Sequence, residues 1–532
     1  MKKQHAILSF LFLVPAFLFG QVKFSKDFKV TTATPFEVVD GKSKEYFPDG
    51  NGNTISVKTD GELVTIQRLS VDGMKEISRK QYKDFPEYTD IQNVLRTGNK
   101  LYYIYTTYSK KDEIFSAFSR EVDMSNGTFK SPVALFKTGG PIVRGSMTEN
   151  IGIWGMQGGP HLNVLSSFDG SKVLINYRRK PLNKKDSENY DILGFYVFDS
   201  AMSKVWGEEV KMPHTEADMN NLAYSVTKDG VAHMLAYIKG SKEFEMINID
   251  NGDLKTHRLD VDGDLVFQSF TLQEDPSGNL VCSGYYAQGL DVKVSWTGNA
   301  ALSYNINGIK HFKVDKNGKT LDSFDYEFPV ALINQYESER TKEKNEDRDQ
   351  KGKAGIADLK MRDVIVNPDG STVFVGEQYF LRTSGYGSNQ STSYNYADVI
   401  VSKVDKSGKL MWHKKLPKTQ VGSAGKGGMG IKFIQAKDAC YVLYLDNVKN
   451  ASIGMDQVPV KHLDGKGGFL SAYKLDNTTG DVTKHTIFDI TDVKGIEAFQ
   501  FNTSRIFDVS SNIFMLEVYM KGKKDTMIKM EL

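Results

Sequence analysis

Along most of the chain apolar residues alternate with polar ones at a period near two, in short runs rich in Val, Ile, Tyr and Phe. That spacing predicts strands, because successive side chains of an extended backbone point to opposite faces. Helical spacing is nearly absent. Turn pairs that tolerate positive φ punctuate the runs: Asp60-Gly61, Asp72-Gly73, Asn126-Gly127, Asp169-Gly170, Asp229-Gly230, Asn251-Gly252, Asn317-Gly318 and Asp369-Gly370. The runs also repeat. The most apolar strand of each unit starts near Thr54, Leu101, Lys172, Val231, Leu280, Thr372, Cys440 and Ile513. A third, more polar strand ends in a turn such as Val-Asp-Lys-Asn-Gly at 314–318 or Val-Asp-Lys-Ser-Gly at 404–408. A fourth alternates Lys with apolar residues, as in 204–213 around Trp206 and 409–417 around Trp412.

Four strands per unit, the second apolar on both faces and the fourth charged, predict sheets stacked radially with Lys blunting the outer edge. The expected fold is all-β: a single β-propeller of seven or eight four-stranded blades. Eight units are counted. The last begins near Ile496 and has only three strands by Leu532, so segment 22–32 is expected to supply the missing outer strand and close the ring. Two separate β domains are the competing arrangement, and no Pro/Ser-rich linker supports them.

Successive units start 47 to 92 residues apart, whereas a bare blade needs about 40–50. In a propeller, turns between first and second and between third and fourth strands share one face. Second-to-third hairpins and the crossings between blades share the other. The tight Asp-Gly and Asn-Gly turns are expected on the first face. The long segments 139–160, 178–189, 289–299, 331–355, 384–397, 421–430 and 447–468 are expected on the second. Loops on a rigid scaffold carry binding, so the elaborated face is the expected interaction surface. Within it, 337–353 holds six acidic and six basic side chains in 17 residues, among them Glu337, Arg340 and Arg348. Such a run suits a solvated helix or a mobile flap, with a docking arm as the functional reading. Segment 384–397 mixes Tyr386, Tyr394 and Tyr396 with small polar residues, the composition of adaptable protein-binding loops. Segment 139–160 carries Trp154 and Met156 amid glycines, either as a recognition anchor or as local core.

Residues 1–20 have the three parts of a secretory signal: Lys2 and Lys3, an apolar run over 6–19, and Gly20 at a cut site. The run is too short for a bilayer span of roughly 20 residues. A periplasmic protein with no membrane span of its own is expected, with the propeller filling 21–532. Lys and Arg number 68, two of them in the leader, against 66 Asp and Glu. The remainder is neutral, which excludes a basic footprint for nucleic acid. Cys282 and Cys440 sit inside separate apolar strands, so two buried thiols are expected rather than a disulfide.

The pattern Asp405, Gly408, Lys409 and Trp412, with the repeat around it, resembles the superfamily of secreted bacterial β-propellers with degenerate repeats. The leader style and chain size also resemble the periplasmic plug component of type 9 secretion translocons. That resemblance implies a partner in an outer-membrane translocon and carries no residue positions across.

No chemistry-bearing motif stands out. Histidines are scattered singly, without zinc spacing. Asp49, Asn51 and Asn53 alternate as in a calcium loop, but a strand follows at once. The glycines of 425–430 lack the Lys-Ser/Thr and the helix of a phosphate loop. No catalytic residue, metal or cofactor is expected. The first functional reading is a non-catalytic module that binds a large protein partner in the cell envelope. The second is a carbohydrate-binding or glycan-hydrolysing propeller, which needs a funnel lined by aromatic and acidic side chains.

Overall fold

The computed structural model describes residues 23–145, 160–261, 266–288, 291–294, 300–303, 305–385, 390–423 and 428–532. Their strands pair into eight sheets of four or more strands in chain order, each one an antiparallel blade, and two short two-stranded pairs lie outside the blades. The first blade runs Ser43–Pro48, Asn53–Asp60, Leu63–Ser70, Lys75–Tyr82. The sixth runs Leu359–Val366, Thr372–Ser384, Ser391–Val404, Leu410–Leu416, and the seventh Lys432–Gln435, Ala439–Asp446, Phe469–Asp476, Val482–Asp489. The eighth takes three strands from the end of the chain, Ile506–Ser510, Ile513–Met520 and Lys524–Glu531. Its outer strand comes from the beginning, with Lys29–Thr32 pairing Lys29 to Glu531 and Thr32 to Ile528. The N-terminal strand thus closes an eight-bladed propeller, as the period-two runs predicted.

Burial explains why the second strands read as unbroken apolar runs. Leu280–Ala287 and Ala439–Asp446 are buried at every position, each sheet being covered on both faces by its neighbours. Eight apolar clusters result, each shared by two adjacent blades. Ile55, Ile66, Leu101 and Tyr103 join the first and second, and Phe36, Leu69, Phe507 and Met515 join the eighth back to the first. A chain of separate domains would break this circle; it is unbroken. Trp206 and Trp412 serve the same stacking. Trp206 Nε1 donates to Gly230 O of the next blade at 2.8 Å, and a Cβ on Gly480 (φ 69°) would lie 2.6 Å from the Trp412 ring.

The third strands differ from expectation. Gly308–Val314 is buried throughout despite Lys310, His311 and Lys313. Two of its polar side chains find partners across the sheet, Lys310 Nζ meeting Asp325 at 2.9 Å and His311 Nδ1 meeting Ser283 Oγ at 2.9 Å, while Lys313 Nζ donates to Lys406 O of the next blade at 2.6 Å. Both cysteines are buried free thiols. Among the described residues no helix is long and apolar enough to cross a membrane. The leader 1–20 lies outside the described residues.

Candidate functional site

The two ends of the ring differ in chain length. On one end every connection between paired strands within a blade is two to five residues long. Asp side chains hold these turns: Asp315 Oδ1 accepts from Asn317 N and Lys319 N at 2.8 and 2.9 Å, and Asp405 Oδ1 accepts from Ser407 N and Lys409 N at the same two distances. Asp49 does likewise, accepting from Asn51 N at 2.7 Å, so the Asp49–Asn53 run is a turn. Among the described residues no group of three or more His, Cys, Asp or Glu is placed to hold a metal ion. Seven of the eight Asp-Gly and Asn-Gly pairs lie on this trimmed end. The exception is Asp60-Gly61, which joins the second and third strands of the first blade on the opposite end because that hairpin carries no insertion.

All seven long segments lead into connections on the other end: 179–189, 288–307, 385–390 and 447–468 within blades, and 140–162, 328–358 and 417–431 between them. From the fifth blade to the eighth these excursions touch one another. Tyr336 OH donates to Met455 O at 2.8 Å, joining 328–358 to 447–468. Val421 pairs with Leu463 in a parallel bridge, and Gln420 Nε2 donates to Leu445 O at 2.8 Å. Gly428 N donates to Asp464 Oδ1 at 3.0 Å. Thr503 Oγ1, on the crossing into the eighth blade, donates to Met429 O at 3.5 Å, so four blades share one stitched surface.

Buried charges anchor it. Lys418, 1% exposed, lies 2.8 Å from Glu377, whose carboxylate also takes Arg362 at 2.7 Å. Burial lowers the Lys418 ammonium from its ordinary value, and Glu377 opposes that shift. Lys415 donates to Ile333 O, Gln335 O and Glu337 Oε1 at 3.0, 2.7 and 3.4 Å, and sits 3.5 Å from Asp398. Burial raises the Asp398 carboxyl, with Lys415 pulling the other way.

The residues singled out from sequence fall into three groups. Trp154, Met156 and Tyr386 lie outside the described residues. Tyr394 and Tyr396 stand on the stretch where the two middle strands of the sixth blade overshoot it, paired with Leu381 and Tyr379. Tyr396 is half-buried, its ring 4.8 Å from that of Tyr379 and within 5.8 Å of both the Arg362 guanidinium and the Lys418 ammonium. Glu337 serves Lys415, whereas Arg340 and Arg348 are exposed on the helix Glu339–Asp349. Ser338 caps that helix by accepting from Thr341 N. The charged segment is therefore a helix rather than a flap, and its first residues belong to the scaffold. What the alternation of letters did not mark is the apolar surface beside it. Val448, Val458 (65% exposed), Val460, Leu463 and Phe499 (53%) are all exposed on this end. On the turns of the trimmed end, Phe168 is the one exposed large apolar side chain among the described residues.

Beside this patch a cavity of about 450 Å³ opens between the seventh and eighth blades, lined by Leu445, Ile490, Phe499, Phe501, Asp464 and Arg505 among others. Hydroxyl–imidazole pairs occur elsewhere, as at Ser283 and His311, but both of these residues are fully buried inside the fifth blade. Burial pushes His311 down to about 4, so it is neutral and sealed from any substrate.

No family model matches the sequence, and no curated protein matches it. Solved structures align with it over much of their length. The β-propeller domain of the Trilobed protease from Pyrococcus furiosus is 10% identical, with 85% of this chain and 98% of that one covered at a TM-score of 0.35. The WD40 domain of SCAP from fission yeast is 8% identical, with 95% and 94% covered at 0.37. An oligogalacturonate lyase in complex with manganese is 8% identical, with 94% and 98% covered at 0.33.

Proposed function

We propose that the protein is a non-catalytic docking module of the cell envelope, exported to the periplasm through the leader 1–20, that binds a large protein partner with its elaborated face. The observation that carries this reading is the contrast between the two ends. Exposed Val448, Val458, Val460, Leu463 and Phe499 sit on connected excursions at one end, while tight polar turns cover the other. Contiguous exposed apolar surface rimmed by polar groups is characteristic of interaction sites, and the buried Lys418–Glu377 and Lys415–Asp398 pairs keep it rigid without a partner. The specific partner we propose is the channel of a type 9 secretion translocon, with the propeller as its plug on the periplasmic side. Leader style and chain size support that assignment, as does the position of Lys29–Thr32, nine residues past a cut at Gly20 and so retained after cleavage.

The alternative, a glycan-binding or glycan-hydrolysing propeller, draws on the cavity in which Asp464 and Glu497 stand near Phe499 and Phe501. Glu497 is engaged by Lys521 at 3.0 Å, which leaves Asp464 without a second free carboxylate in the lining for glycan hydrolysis, so protein docking is favoured. The test is affinity capture of the tagged protein from detergent-extracted envelopes, followed by mass spectrometry. An outer-membrane channel is expected with the native protein and not with the Val458→Asp/Leu463→Asp variant, whose changes lie on exposed positions. Recovery of the native protein as a lone monomer in every extract refutes the reading.

A further inference from the structure

The cavity between the seventh and eighth blades has a polar chemistry that its neighbours do not satisfy. Asp464 is 8% exposed. Its Oδ1 accepts from Gly428 N at 3.0 Å, while its buried Oδ2 has no hydrogen-bond partner in the protein. Arg505 Nη1 is likewise buried without an acceptor. A buried carboxylate oxygen and a buried guanidinium nitrogen left unpaired each carry a desolvation cost that a complementary ligand removes. Leu445, Ile490, Phe499 and Phe501 line the same cavity, in a volume of about 450 Å³, which falls within the roughly 300–1,000 Å³ typical of ligand pockets.

The ligand must therefore bring three groups at once: an anion for the guanidinium, a hydrogen-bond donor for Asp464 Oδ2 and a bulky apolar body for the walls. A guanidinium is suited to carboxylate, which it can bind through two parallel N–H bonds. A neutral sugar would reach the polar atoms but brings no anion for the guanidinium and no bulky apolar group for Leu445 and Ile490. The last residue of a polypeptide supplies all three groups, since its carboxylate, amide N–H and side chain leave one Cα in different directions. We propose that this cavity captures the C-terminal residue of a protein chain. The carboxylate lies on Arg505, the amide N–H donates to Asp464 Oδ2, and an apolar side chain packs against Leu445, Ile490, Phe499 and Phe501. The inference rests on the docking reading of this face and names the part of the partner that it grips. A free apolar α-amino acid offers related chemistry and is separated in the test.

The experiment is a fluorescence-anisotropy titration of the full chain with fluorescein-labelled Ser-Gly-Ser-Gly-Phe. Saturable binding is expected, weakened at least tenfold by amidating the peptide C-terminus and by Arg505→Gln. Phe499→Ser, at an exposed position, is expected to weaken it as well, and thermal melting verifies that each variant is folded. Absence of binding by the native protein, or equal affinity for the acid and amide peptides, overturns the proposal. Competition by free phenylalanine as strong as that by the unlabelled peptide overturns the polypeptide source. If the peptide fails to bind while envelope capture of the partner persists, this inference falls and the docking reading stands.

Discussion

The seam where the ring closes offers the sharpest test of the fold's electrostatics. Lys58, on the second strand of the first blade, is fully buried with Nζ 2.5 Å from Glu517 Oε1 and 3.6 Å from Asp525 Oδ2, both on the eighth blade. Tyr46 OH donates to Glu517 Oε2 at 2.5 Å, and Lys44 stands 4.0 Å from the same carboxylate. Burial would raise the Glu517 carboxyl, yet Lys58 and Lys44 outweigh it and hold it below its ordinary value. Burial and the neighbouring Glu517 charge raise Asp525. In Lys58→Met the Glu517 carboxylate loses its main cation in a site without water contact, and the cheapest escape is to bind a proton. Holding a group of ordinary pKa 4.5 neutral costs about 3 kcal/mol at pH 7 and about 1 kcal/mol at pH 5, at 1.36 kcal/mol per pH unit. The sign follows from linkage. The folded-state pKa of the variant is raised above the unfolded value, so the penalty is absent below pH 4.5 and grows as pH rises. The total at pH 7 agrees with the roughly 3–5 kcal/mol seen when one partner of a buried pair is removed. The assay is urea unfolding followed by tryptophan fluorescence, comparing variant with native protein at pH 7 and at pH 5. A large midpoint shift at pH 7 that mostly disappears at pH 5 is expected, and adding Glu517→Gln should restore part of the stability at pH 7. Equal shifts at both pH values, or none at pH 7, would refute the reasoning.

Three further outcomes follow from the same structure. Deleting residues through Thr32 exposes the edge of Lys524–Glu531, and size-exclusion chromatography should then show self-association together with a lower melting temperature. Burial holds His233 and His311 down to about 4 from 6.5. A depressed imidazole pKa means that stability is complete above pH 6.5 and is lost as pH falls toward 4, by at most about 3 kcal/mol per ring; a pH series of unfolding midpoints flat across this range would contradict it. Replacing 339–351 with a short Gly-Ser linker removes a helix whose one buried residue is Asn345, so the melting temperature should hold within a few degrees while partner capture weakens. Extending the deletion to 333–337 strips three acceptors from buried Lys415 and should destabilise the sixth blade.

How much of the fold was legible depends on the range of the interactions. The second strand of every blade, the turns built on Asp315 and Asp405, and the need for an N-terminal strand in the eighth blade all follow from local rules. Side-chain alternation, Asx turns and the count of strands per repeat act within a few residues of sequence. The sorting of long segments to one end was readable for the same reason, because strand number within a blade decides which end a connection occupies. The buried state of Lys310, Lys418 and Lys58 was not readable. A lysine letter predicts solvent, and only carboxylates arriving from other strands or blades made these positions tolerable.

The candidate site shows the same division more strongly. Tyr394, Tyr396, Glu337, Arg340 and Arg348 were found by composition and do lie on the elaborated end. Phe499 and Arg505 were missed, and Leu463 and Asp464 were marked only as part of segment 447–468, since none of them stands in a distinctive spacing. By itself the sequence determined the repeating blade, the closure through Lys29–Thr32 and the end that carries the insertions, because these depend on periodicity and order along the chain. Only the tertiary structure decided that excursions from four blades join into one surface, and that Asp464 and Arg505 share a cavity. Those contacts form between residues far apart in sequence, once the ring has fixed their distances.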